Sequence, residues 1–193
     1  MLTMVSTVVE PRSLGRARIS LVVMAVVAAG TAIFDVAARP RGGTEGLVSV
    51  ADYVFTALLL PFVLAPLATL AALRSAQQGR DGRLGTVGFV VTAIGLAAFL
   101  PCGILTLATG DASSGGPLYP LAMLASLVGL VSMSVAWVRA KALPRWMLPA
   151  ITLGWIFGGP VAEGGTPGFR GAAVILAAIC VAVAVALRPQ QAA

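Results

Sequence analysis

The chain contains no histidine. That removes the commonest general base and the commonest transition-metal ligand. Serine and threonine occur within apolar runs, among them Thr31, Thr92, Ser126 and Ser134, but no Ser-His pair can form. Rhomboid-like proteolysis is thereby excluded despite a matching number of apolar runs. Charge is also scarce. Asp, Glu, Lys and Arg make up 10% of the 193 residues, against about 25% in an ordinary soluble domain. So few charges cannot cover a water-facing surface without large apolar patches. The two cysteines, Cys102 and Cys180, both lie inside apolar runs, where cysteine acts as a small apolar residue. No acid, lysine or histidine falls near the midplane of any run, so a membrane-crossing proton relay lacks its stations.

Apolar residues make up 59% of the chain, arranged in six runs. The expected spans are residues 19–38, 52–73, 85–108, 118–138, 146–162 and 171–187. Residues 1–18 are expected to form a disordered basic cytoplasmic tail, and residues 189–193 a short cytoplasmic tail. Inside lipid every amide must be satisfied within the protein, and these runs are too long and too continuous for barrel strands. The expected fold is therefore all-α, a polytopic transmembrane bundle of six helices with short loops. Consecutive helices are then antiparallel neighbours.

Orientation follows from the basic residues. With the N-terminus inside, ten of the 13 Lys and Arg lie on the inner side. Only Arg39, Arg41 and Arg170 lie outside. This bias predicts N-in and C-in. Five acids, Asp35, Glu45, Asp52, Asp111 and Glu163, fall on the outer side. Tyr53 and Tyr119 sit at outer ends of spans and Trp137 and Trp146 at inner ends, as an aromatic belt would. The basic stretch, the apolar core and Val36-Ala37-Ala38 also resemble a secretory signal cleaved after Ala38. Asp35 beside that cut and the length of the apolar core favour a retained helix.

The candidate site is the outer polar cluster. Asp35 lies about 24 Å along the first span from its inner end, near the outer interface. With Asp52, Glu163 and the cations Arg39 and Arg170 it would face one outward-open pocket for a cation, polar solute or lipid headgroup. The simpler reading is an ion pair between Asp35 and Arg39, four residues apart on one helix, with Asp52 and Glu163 as hydrated helix ends. Pro61, Pro66, Pro101, Pro149 and Pro160 read as kinks in the second, third and fifth spans. Gly154 and Gly158 form a GxxxG and are expected to pack within the bundle.

No cofactor or metal is expected. Nucleic acid is not expected as a partner, because the basic residues are scattered between apolar runs. The expected partners are the lipid bilayer and other membrane subunits or a second copy. The expected role is a non-enzymatic accessory subunit or scaffold in a bacterial cytoplasmic membrane. The alternatives are a small-solute transporter or its substrate-binding subunit, and an intramembrane enzyme acting on a lipid at the outer face. The span pattern and alanine-rich composition resemble those of small six-span proteins of high-GC bacteria. Length, span number and the pair Ala25 and Ala29 also look like the membrane substrate-binding components of energy-coupling-factor vitamin transporters. That resemblance implies a solute site and docking through small residues of the first helix.

Overall fold

A computed structural model describes residues 11–40, 46–158 and 166–187. Among them are six α-helices: α1 (Pro11–Ala38), α2 (Val50–Gln77), α3 (Gly82–Thr109), α4 (Leu118–Ala140), α5 (Met147–Gly158) and α6 (Thr166–Ala186). A short 3-10 turn, Ala112–Gly115, joins α3 to α4. The all-α bundle matches the sequence expectation. Each helix packs against its neighbours in chain order, and α1 also packs against α6. The contacts therefore close into a circuit.

Four helices, α1 to α4, are long and apolar enough to cross a membrane. In α3 only 22% of the most apolar stretch is buried inside the bundle. Ile94, Val87, Leu121 and Leu124 are exposed. Only lipid solvates such a surface without cost. The structure describes the fifth expected span only in part. α5 has 12 residues, about 18 Å of helix, and residues 159–162 lie outside the described residues. α6 carries its apolar stretch from Arg170 to Ala186.

Several sequence expectations change. α1 begins at Pro11, where proline suits a first helical position. Arg12, Arg16 and Arg18 therefore lie on helical turns rather than in a disordered tail, and Ala17 among them is fully buried. Pro149 stands in the first turn of α5, where a missing N–H breaks no bond, so it is no interruption. Pro61 and Pro66 lie inside α2 and Pro101 inside α3. Trp137 is no belt residue. It is 2% exposed, and its indole N–H donates to the Pro144 carbonyl at 3.0 Å, tying the end of α4 to the following loop. Trp146, Tyr53 and Tyr119 are exposed in part.

α3 packs on α4 at close range. Gly88 and Gly95 on α3 meet Gly129, Ala122 and Ser126 on α4 backbone to backbone. The hydroxyls of Thr92 and Ser126 bond carbonyls of their own helices, so the seam carries small residues without unmet donors. Elsewhere Phe62 of α2 stacks on Trp155 of α5, with ring centroids 5.8 Å apart. Ser134 and Thr152 share a buried hydrogen bond of 2.8 Å between α4 and α5. The Thr69 hydroxyl of α2 lies 3.1 Å from the Ser20 carbonyl of α1.

Candidate functional site

Asp35 sits in the last turn of α1, and Arg170 opens the apolar stretch of α6. The α1–α6 contact brings them together across 135 positions of sequence. Arg170 Nε donates to Asp35 Oδ2 in a close ion pair. A second guanidinium nitrogen reaches the Asp35 carbonyl at 3.5 Å. That carbonyl also accepts from the Arg39 backbone N–H at 3.1 Å. The cation thus lies at the C-terminal end of α1, where the helix dipole favours positive charge. The pair is asymmetric. The Asp35 side chain is 2% exposed and that of Arg170 is 36% exposed, so the guanidinium screens the carboxylate from solvent.

The partner of Asp35 is therefore Arg170, not Arg39. The side chain of Arg39 is exposed, and its backbone has φ +47, a left-handed conformation that ends the helix. Helical spacing alone suggested an i to i+4 pair. The turn out of α1 removes Arg39 from the helix face that such a pair needs.

Asp52 does not converge on Asp35 as a free ligand. It is the third residue of α2 and closes a capping box with Ser49. Its carboxylate accepts from the backbone N–H of Val48 at 3.1 Å and of Ser49 at 2.8 Å, and from the Ser49 hydroxyl at 2.7 Å. The Ser49 hydroxyl oxygen accepts the Asp52 N–H at 3.2 Å. This reciprocal arrangement satisfies exposed donors at a helix N-terminus. The S-x-x-D spacing from Ser49 to Asp52 was readable in the sequence as a cap. Glu163 lies outside the described residues.

The loop before α2 and the loop after α3 are tied to each other. The Leu47 N–H donates to the Gly110 carbonyl at 2.7 Å. Gly46 (φ +90) has no room for a side chain, because a Cβ there would lie 2.6 Å from that same carbonyl oxygen. In the next turn the Ser113 backbone N–H, then its hydroxyl, hold the Asp111 carboxyl below its ordinary value.

A second polar cluster lies at the opposite, basic end of the bundle. Of its residues, Arg74 counts among the ten inner basic residues of the orientation argument, and the others carried no sequence signal. Arg74 Nε bonds Asp81 Oδ2 at 3.0 Å, its Nη2 bonds the Thr86 hydroxyl at 2.6 Å, and its guanidinium stands 5.3 Å from the centre of the Phe89 ring. One arginine thus braces the α2–α3 turn. Its partners lie 7, 12 and 15 residues away, across the turn between the two helices, where the periodicity of one helix does not run.

Among the described residues, no three His, Cys, Asp or Glu side chains come together as a metal-binding group. The chain matches no protein-family model, no curated protein and no solved structure. The four long apolar helices and their lipid-facing surfaces make this a membrane-embedded α-helical protein.

Proposed function

We propose that this protein is a non-enzymatic component of a bacterial cytoplasmic membrane, an accessory subunit or scaffold with six spans and both termini inside. The observation that carries the reading is the closure of Asp35 by Arg170. The ionisable group best placed for chemistry holds two helices together instead of facing a substrate. Asp52 acts in the same sense at its helix end. The outer-face lipid enzyme loses support for the same reason, since its two leading carboxylates are engaged within the fold.

The orientation rests on the ten-to-three distribution of basic residues. Reporter fusions after Ala193 and within residues 111–116 are expected to give cytoplasmic and external signals respectively. A cytoplasmic signal from the 111–116 loop would reverse the topology.

The accessory role is tested by extracting the protein from its native membrane into polymer-bounded discs and analysing their contents by mass spectrometry. A second membrane polypeptide at fixed stoichiometry is expected. The chain alone, carrying a stoichiometric small molecule, would overturn the role in favour of a solute-binding subunit. One feature supports that second reading. The indole N–H of Trp155 is buried without an acceptor, beside the Phe62 ring, and a bound polar solute would supply one. In that case Trp155→Phe is expected to release the small molecule while the fold persists.

A further inference from the structure

A groove of about 600 Å³ runs between α1 and α6 at the basic end of the bundle. Gly15, Arg18, Ile19, Val22 and Val23 form its α1 wall, and Val181, Ala184 and Val185 its α6 wall. The α1 positions follow i, i+3, i+4, i+7 and i+8, one face of a helix. They span about 12 Å along its axis. The α6 positions repeat i, i+3 and i+4. Ala184 is small and 6% exposed, whereas Val22, Val23, Val181 and Val185 are each about half exposed. The valines thus stand as rims around a low floor.

The groove has one charged residue and an open end. Arg18 lines it, and the Nε of Arg18 is buried with no hydrogen-bond partner. A shielded guanidinium donor without an acceptor is costly in a finished fold. Next to it, Gly15 has nothing within 4 Å of the place a Cβ would occupy. That space lies one turn before Arg18 on the face of α1 that lines the groove. Arg12 and Arg16, both exposed, add positive charge on the same turns of α1.

We propose that this groove holds one anionic phospholipid of the inner leaflet. An acyl chain lies along Ile19, Val22, Val23, Val181 and Val185, and the phosphate accepts from Arg18 in the space beside Gly15. An apolar slot ending in a guanidinium matches the amphiphile's own order of chain and phosphate. Arginine suits the phosphate because its donors form a fixed fork. Net negative charge on the headgroup adds attraction from Arg12 and Arg16. The site rests on the membrane reading of the fold, and its leaflet on the proposed orientation, but not on the accessory role; it lies at the opposite end of α1 from Asp35.

The test is native mass spectrometry of the purified full chain in detergent, titrated with dioleoylphosphatidylglycerol or dioleoylphosphatidylcholine. A single phosphatidylglycerol is expected to bind before any phosphatidylcholine. Arg18→Gln is expected to weaken that first binding about fivefold, the effect of about one interfacial basic residue. Gly15→Leu places a side chain in open space, so the fold is kept, and it is expected to reduce occupancy with Arg18 still present. Equal binding of the two lipids to the unaltered protein would overturn the proposal. So would a phosphatidylglycerol preference that survives both substitutions, because ordinary annular contact would then account for it.

Discussion

Gly95→Ala is expected to destabilise the bundle by about 2 kcal/mol or more, at the severe end of the range for overpacking a close contact. Gly30→Ala is expected to leave stability unchanged or raise it by up to about 1 kcal/mol, because alanine suits a helix interior better than glycine. The two substitutions add the same methyl group to two long helices. They differ in what the methyl meets. At Gly30 nothing lies within 4 Å. At Gly95 the new carbon would overlap the Ser126 backbone nitrogen and lie 2.8 Å from the Ala122 carbonyl oxygen. Those atoms belong to the backbone of α4 and cannot rotate aside, so the helices must separate. Gly129→Ala should act alike, since a carbon there would lie 2.5 Å from the Thr92 nitrogen and 2.7 Å from the Gly88 oxygen. Between membrane helices, packing at close range replaces the hydrophobic effect as the main attraction, and separating the pair forfeits it. Unfolding by sodium dodecyl sulfate in mixed micelles measures the difference. If Gly95→Ala and Gly30→Ala unfold at the same detergent fraction, the α3–α4 seam is not as close as described.

The second large effect concerns the ion pair between α1 and α6. Arg170→Ala is expected to cost about 3 kcal/mol, the low end for breaking a buried pair by removing one partner. Asp35→Asn should cost less, about 1 to 2 kcal/mol, the desolvation range for weakening one buried hydrogen bond. The asymmetry comes from exposure. Without Arg170, a carboxylate whose side chain is 2% exposed loses its counterion. Without the Asp35 charge, the guanidinium is already 36% exposed and can hydrate. The amide that replaces the carboxylate also keeps an oxygen that accepts from Arg170. Arg39→Ala is expected to cost less than about 1 kcal/mol, because that side chain is exposed. A double-mutant cycle on Asp35 and Arg170 should give a coupling of about 2 kcal/mol, within the range for residues in direct contact. Additive effects of the two substitutions, or an Arg39→Ala cost equal to that of Arg170→Ala, would show that Asp35 is held otherwise.

Both effects rest on features whose ingredients were visible in the chain but whose pairing was not. Gly88, Thr92 and Gly95, with Ala122, Ser126 and Gly129, repeat at helical spacing. In a chain with 22 glycines the GxxxG at Gly154 stands out first. Gly154 does pack inside the bundle, with a Cβ position 3.0 Å from the Leu176 side chain of α6. Its neighbours there are flexible side-chain ends, whereas those of Gly95 are backbone. Spacing identifies a small-residue stripe, but not which stripe meets backbone. The capping box at Ser49 and Asp52 is fully local, so its S-x-x-D spacing stood in the sequence, but Asp52 was read there only as a site candidate or a hydrated helix end.

Composition and spacing set the solvent and the secondary structure. Long runs without charge require lipid outside and hydrogen bonds satisfied within each run, so helices followed from composition and spacing alone. Composition also determined which residues were available for chemistry, because the missing histidine and the scarcity of charge are properties of the list and not of its folding. Only the tertiary structure decided what those residues do. Asp35 has a sequence neighbour at Arg39 in every conformation of the chain. It has Arg170 only because α1 and α6 close the bundle. Helical periodicity extends over a few turns, whereas an ion pair 135 residues apart depends on how six helices divide the space between them. That division is set by where backbones approach closely, at Gly88, Gly95 and Gly129, and by where large side chains such as Phe62 and Trp155 hold them apart.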